Sequence, residues 1–154
     1  MNEMIYDFKT HSLSYRNPDI DVSHFSLAID TLELVFELQT GKLLGVQGFF
    51  PLIKANVCNV DFPKCKLGDY FLHNVDLSTF KKDDVYDLIH KIPQTKKYFE
   101  EMSVKYDKVK QIIQIGKNSS EGENLIKVNN NIVCGLDENF NLRCVYIMPE
   151  EFIQ

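Results

Sequence analysis

The chain has no apolar run approaching the roughly 18 to 20 residues that a bilayer-spanning helix needs. Its opening, Met1-Asn2-Glu3-Met4, has no basic stretch ahead of an apolar segment, as a secretory signal would. A cytoplasmic protein is therefore expected. Cysteine is scarce: Cys58, Cys65, Cys134 and Cys144 are too far apart for a paired zinc knuckle and too few for a disulfide scaffold in 154 residues. They read as reduced, mostly buried thiols. A basic excess is missing too. Net charge is −5, with 6 basic against 10 acidic residues before Ser78 and 11 against 12 from there on. Phosphate backbones repel such a chain, whereas a basic protein surface would be drawn to it, so the expected partner is a basic protein and not nucleic acid or membrane.

Recognised chemistry is also lacking. No phosphate-cradling glycine loop, G-x-S-x-G elbow, H-E-x-x-H pair or calcium-loop pattern occurs. No catalytic residue, cofactor or metal is assigned, and a non-enzyme is expected.

What is present is enough apolar material for one self-sufficient domain spanning 1–154: 44% hydrophobic residues, with 11 Phe and 7 Tyr. Residues 32 to 38 alternate apolar and polar, Thr40-Gly41-Lys42 supplies a turn, and a second strand follows to about Phe50 before Pro51. A two-residue loop would pair Leu38 with Leu43. A bulged three-residue loop would pair Leu38 with Leu44, and it gathers Leu32, Leu34, Phe36, Leu38, Leu44, Val46 and Phe50 on one face. Residues 52 to 78 read as irregular with one short strand.

Asp83 and Asp84 ahead of Val85, Leu88 and Ile89, with Pro93 as a stop, predict a helix over 83–91. Thr95 as a cap and the spacing of Phe99, Met102 and Tyr106 predict a second helix over 95–106, followed by a strand over 110–115 where β-branched residues accumulate. Lys117 to Asn124 reads as a loop. Strands are expected at Leu125 to Val128, Ile132 to Leu136 and Leu142 to Ile147, the last two forming a hairpin. No internal repeat is visible. The fold expected is α+β, a mainly antiparallel sheet of hairpins with one or two helices packed on it.

Several groupings could carry chemistry. In a hairpin symmetric about Asn139, Cys134 and Cys144 would stand opposite one another on one face, as a redox pair, as half of a metal site or as two small buried apolar groups. Cys58, Cys65 and His73 could supply metal ligands, and Cys65 with His73 or His90 a nucleophile and base, but the spacing is unspecific and no nucleophile signature surrounds them. Lys96, Lys97, Lys105, Lys108 and Lys110 alternate with Glu100, Glu101 and Asp107, as on a plain exposed helix.

Three segments resemble small bacterial immunity proteins encoded beside polymorphic or contact-dependent-inhibition toxins. They are Thr40 through Pro51, Ile112-Ile113-Gln114-Ile115-Gly116, and Asn131 through Pro149 with its Gly135-Leu136-Asp137 turn. The resemblance covers about a third of the chain. It implies a cognate toxin, often a nuclease, held by an acidic surface. Candidate partner-binding carboxylates are Glu33 and Glu37 on the polar face of the first hairpin, with Asp83, Asp84, Asp87, Glu100 and Glu101. One alternative is a small-molecule-binding or enzymatic α+β domain using the Cys58 to His73 region as a pocket wall. Another is a homodimer that hides Leu43, Gly45 and Phe49.

Overall fold

A computed structural model describes residues 3–16, 22–52, 55–60, 65–72, 75–88, 98–99, 103–116 and 124–154. Its strands are β1 (Glu3–Asp7), β2 (Ser12–Arg16), β3 (His24–Ile29), β4 (Leu32–Glu37), β5 (Leu43–Phe49), β6 (Asn56–Val57) and β7 (Lys66–Leu67). They continue with β8 (Val85–Asp87), β9 (Val104–Asp107), β10 (Ile112–Gly116), β11 (Asn124–Asn129), β12 (Ile132–Leu136), β13 (Leu142–Ile147) and β14 (Glu151–Ile153). Two seven-stranded sheets result, in the orders β14-β1-β2-β5-β4-β3-β8 and β6-β9-β10-β13-β12-β11-β7.

The expected α+β fold is thereby corrected: among the described residues the helical structure is one short 3-10 turn, Leu77–Thr79. Where a helix was expected over 83–91, Val85–Asp87 is an edge strand running parallel to β3. Ser26 N–H donates to the Asp84 carbonyl at 3.0 Å and Leu88 N–H to the Ala28 carbonyl at 2.9 Å. The supposed apolar stripe is split, Val85 being exposed and Leu88 fully buried, because alternation governs a strand and a period of 3.6 does not. The second expected helix ends in strand β9, paired with β10; the positions 89–97 and 100–102, including Thr95 and Met102, lie outside the described residues. Ladder pairing with the β-branched run at 112–115 outweighs the helical spacing of Phe99, Met102 and Tyr106. Of the expected loop over 117–124, positions 117–123 lie outside the described residues and Asn124 begins strand β11. No helix among the described residues is long and apolar enough to cross a membrane.

An internal repeat is present after all. Strands β1 to β5 and β9 to β13 are two units of the same topology, each with its strands in the order first, second, fifth, fourth, third. The first strand of each unit is extended in parallel by the strand that follows the other unit: β6 pairs with β9, and β14 with β1. The third strand of each is flanked in parallel by β8 or β7.

Local detail repeats as well. Asp7 Oδ1 accepts from the N–H groups of Lys9 and Thr10 at 2.8 and 3.4 Å, and Asp107 Oδ1 from those of Val109 and Lys110, both at 3.0 Å. His11 and Gln111 close these two turns with φ of 53° and 59°. A bulge falls between Val35 and Phe36 in one unit and between Gly135 and Leu136 in the other, with Phe36 facing Leu43 and Leu136 facing Leu142.

The sheets share one core. Tyr6, Phe25, Leu34, Phe36 and Val46 of the first meet Ile113, Ile115, Ile132, Cys134 and Val145 of the second. Tyr106 lies 6.4 Å from the Phe8 ring and 5.9 Å from that of Phe152. In the first hairpin Leu34 pairs with Val46 and Leu32 with Gly48, so neither expected register holds. The bulge brings Leu43 into the core in place of Leu44. The symmetric C-terminal hairpin is corrected likewise: Cys134 faces Val145 and Cys144 faces Gly135. Successive residues point to opposite faces. Cys134 therefore enters the shared core, whereas Cys144 joins Val60, Ile112, Leu125, Val133 and Tyr146 on the outer face of the second sheet.

Candidate binding face

The outer face of the first sheet is built by pairing register. Ala28 of β3 is paired with Glu33 on one side and Asp87 on the other. Four residues back, His24 is paired with Glu37, and the Asp83 N–H donates to the His24 carbonyl at 2.7 Å. Paired residues point to the same face, so Glu33 and Asp87 bracket Ala28, while Glu37 and Asp83 bracket His24. Between the two rows lie Ser26, Val35 and Val85. With strands about 4.8 Å apart and about 3.3 Å per residue, the carboxylates of each row stand roughly 10 Å apart and the rows about 13 Å.

Each member is held by its surroundings. Phe25, between the rows, turns inward and stacks on Phe80 at 4.2 Å between centroids and on Phe36 at 5.8 Å. That packing fixes β3 and hence both flanking strands. Thr40 Oγ1 donates to Glu37 Oε1 at 3.0 Å, and His24 Nε2 lies 3.6 Å from Asp83 Oδ1. Asp83 and Asp87 are exposed, whereas Glu33 and Glu37 are half-buried. Lys81 and Lys82, both exposed, precede Asp83, so the field at that end is mixed. A shallow open hollow lined by Val22, Ser23, Glu37 and Gln39 continues the face past Glu37.

Of the seven carboxylates expected at a partner surface, four thus converge. Asp84 does not join them: its Oδ2 accepts from the Tyr86 hydroxyl at 3.3 Å, and the Tyr86 ring packs edge-on against Phe80 at 5.1 Å. Glu100 and Glu101 lie outside the described residues. Sequence reading missed Ser12, Ser14, Ser26 and His24 on the same sheet. Their signal was available in the alternation of Ser12 and Ser14 with Leu13 and Tyr15, and of His24 and Ser26 with Phe25 and Leu27.

Other expected sites come apart or stay bland. Cys134 is fully buried, and burial, with Cys144 nearby, pushes its thiol well above the usual range, the opposite of an activated nucleophile. All four cysteines are free thiols. His73 and His90 lie outside the described residues. Among the described residues no group of three or more His, Cys, Asp or Glu side chains is placed to hold a metal. Of the three residues proposed for a hidden dimer face, Leu43 and Gly45 are buried and Phe49 is exposed beside His11, at 6.2 Å between ring centroids.

A second hollow, over the β9–β10 turn, is lined by Val57, Cys58, Asn59 and Asp107 through Lys110. Val57 and Val109 are exposed there. Asp107 is committed to structure in this hollow: the Lys110 and Val60 N–H groups, both at 3.0 Å, hold its carboxyl below the usual range. Compared with known proteins, the chain matches no protein-family model and no curated protein.

Proposed function

We propose that the protein is an immunity-type binding protein that neutralises a basic toxin domain by direct contact, through the outer face of its first sheet. What supports this reading is the convergence of Glu33 and Glu37 from β4 with Asp83 and Asp87 from the segment of β8, two stretches far apart in the chain, on one face either side of β3. A basic partner would gain encounter rate from this field and register from the two rows, with the exposed Val85 between them offering apolar contact. No residue is assigned a catalytic role.

The test is copurification with the product of the adjacent reading frame, using wild type and the double variant Glu33→Lys/Asp87→Lys. Wild type is expected to form a salt-sensitive complex, and the variant to lose affinity by two or more orders of magnitude, about 3 kcal/mol or more. An unchanged complex with the folded variant would remove this face from the interface.

A further inference from the structure

The repeat supplies an internal template for how the binding face is occupied. On the second sheet the chain leaves β6 and crosses the outer face. Val60 is buried there against Ile112, Leu125, Val133, Cys144 and Tyr146, with Cys65 and Met148 at its margin. Backbone polar groups fasten that segment: Val60 N–H donates to Asp107 Oδ2 and Lys110 Nζ to the Val60 carbonyl, both at 3.0 Å. Asp107 therefore uses one oxygen for its own turn and the other for the strap.

Asp7 is the equivalent residue of the first unit. Its Oδ1 holds the Lys9 and Thr10 N–H groups in the same way. Among the described residues no donor is recorded on its Oδ2, the oxygen that in Asp107 takes the strap. The face beside it has the matching change of character. Where the second sheet has Ile112, Val133 and Tyr146, the first has Ser12, Glu33 and Gln47, all half-buried, by the shared register of the two units, and at the place of Leu125 it has Ser26, which is itself buried. An apolar strap suits the former set; a polar, cationic one suits the latter.

We infer that the partner docks an extended, lysine- or arginine-bearing segment across the outer face of the first sheet, one of its backbone N–H groups donating to Asp7 Oδ2. This deepens the reading of that face as the toxin contact and rests on it. Peptide recognition of this kind takes affinity from main-chain bonds and selectivity from the side chains alongside.

The probe is a capped eight-residue peptide alternating lysine and serine, titrated into the ¹⁵N-labelled full chain. Amide shifts are expected in a line through Ser12, Gln47 and Glu33, absent when glutamate replaces lysine in the peptide. Asp7→Asn keeps Oδ1 for the turn but replaces the free acceptor by a donor. It should leave the melting temperature near that of wild type and weaken the peptide by about tenfold. No shift on this face, or shifts confined to the Asp83–Asp87 edge with Asp7→Asn binding normally, would overturn the inference. Neither result bears on the Glu33→Lys/Asp87→Lys copurification, which tests the face itself.

Discussion

Asp7 and Asp107, one hundred positions apart, hold turns of the same form, each carboxylate accepting from the N–H groups two and three residues on. They differ in what the second oxygen does. Asp107 is also the anchor of the Val60 segment, so the two carboxylates should respond differently to the same change.

Asp107→Asn is expected to lower the melting temperature by about 5 °C, through loss of a charge-assisted bond to a buried N–H. Asp7→Asn should shift it by no more than about 1 °C, because its turn is exposed and bonds through Oδ1 alone. Thermal melts of the two variants side by side check this. Equal losses would show that the Val60 contact adds nothing to the turn.

Gly45 and Tyr15 form a complementary pair. A Cβ at Gly45 would fall 2.4 Å from the Tyr15 ring. By the shared register Cys144 and Ile115 take these places in the second unit, but there they lie on opposite faces of the sheet, Cys144 outside and Ile115 in the shared core, so the contact belongs to the first unit. Gly45→Cys should cost about 2 to 3 kcal/mol by overpacking, and Tyr15→Ile about as much through the void it leaves. Combined, they should cost less than the sum of the two, as coupled neighbours do. Denaturant titration of the three variants measures the coupling, and strict additivity would count against the close approach of Tyr15 to Gly45.

Much of this arrangement is readable in the chain once strand alternation is followed from the beginning. The hairpin around Gly41, and the strands at 125–128, 132–136 and 142–147, follow from alternation and turn residues. The repeat is harder to see because its matched positions keep a role and change the residue: Ser12 and Ile112, Glu33 and Val133, Gln47 and Tyr146. Few identities survive, among them Tyr6-Asp7 with Tyr106-Asp107. The helical reading of 83–91 failed for a different reason. Three apolar residues at spacings of three and one suit a helix as well as a strand, and only β3, some sixty positions away, decides between them. Carboxylates on the first hairpin were legible, but their meeting with Asp83 and Asp87 depends on that same long-range pairing.

Thiol reactivity should divide the cysteines by face and depth. Cys134 and Cys144 are both fully buried on opposite sides of one sheet. Neither should react with iodoacetamide in the native protein, and no bond should form between them under mild oxidation. Cys58 and Cys65, half-buried, should be modified first. Peptide mapping after timed alkylation reads the order, and early labelling of Cys134 would contradict its place in the core.

Among the described residues three carboxyls are held below their usual range, and acid sensitivity should concentrate in the two that are not exposed, Asp137 and Asp107; the third, Asp76, is exposed and accepts from Ser78. Burial works against the charge of Asp137, but N–H groups of Asn141 and Asn139, the Asn141 amide and Arg143 at 3.9 Å outweigh it and hold the carboxyl below its usual range. The Lys110 and Val60 N–H groups do the same for Asp107. A carboxyl whose pKa is lowered by folding stabilises the fold above its unfolded value, about 3.9, and loses that contribution as pH falls through the folded value. Stability should therefore hold from neutral pH to about 5 and decline steadily below about 4. Asp137→Asn and Asp107→Asn should each be less stable than wild type at pH 7 and closer to it at pH 3, because the acid has already removed from wild type what the substitution removes. Urea midpoints of the three proteins at both pH values provide the comparison; a gap that stays constant between pH 7 and pH 3 would mean that neither carboxylate's charge contributes to the fold.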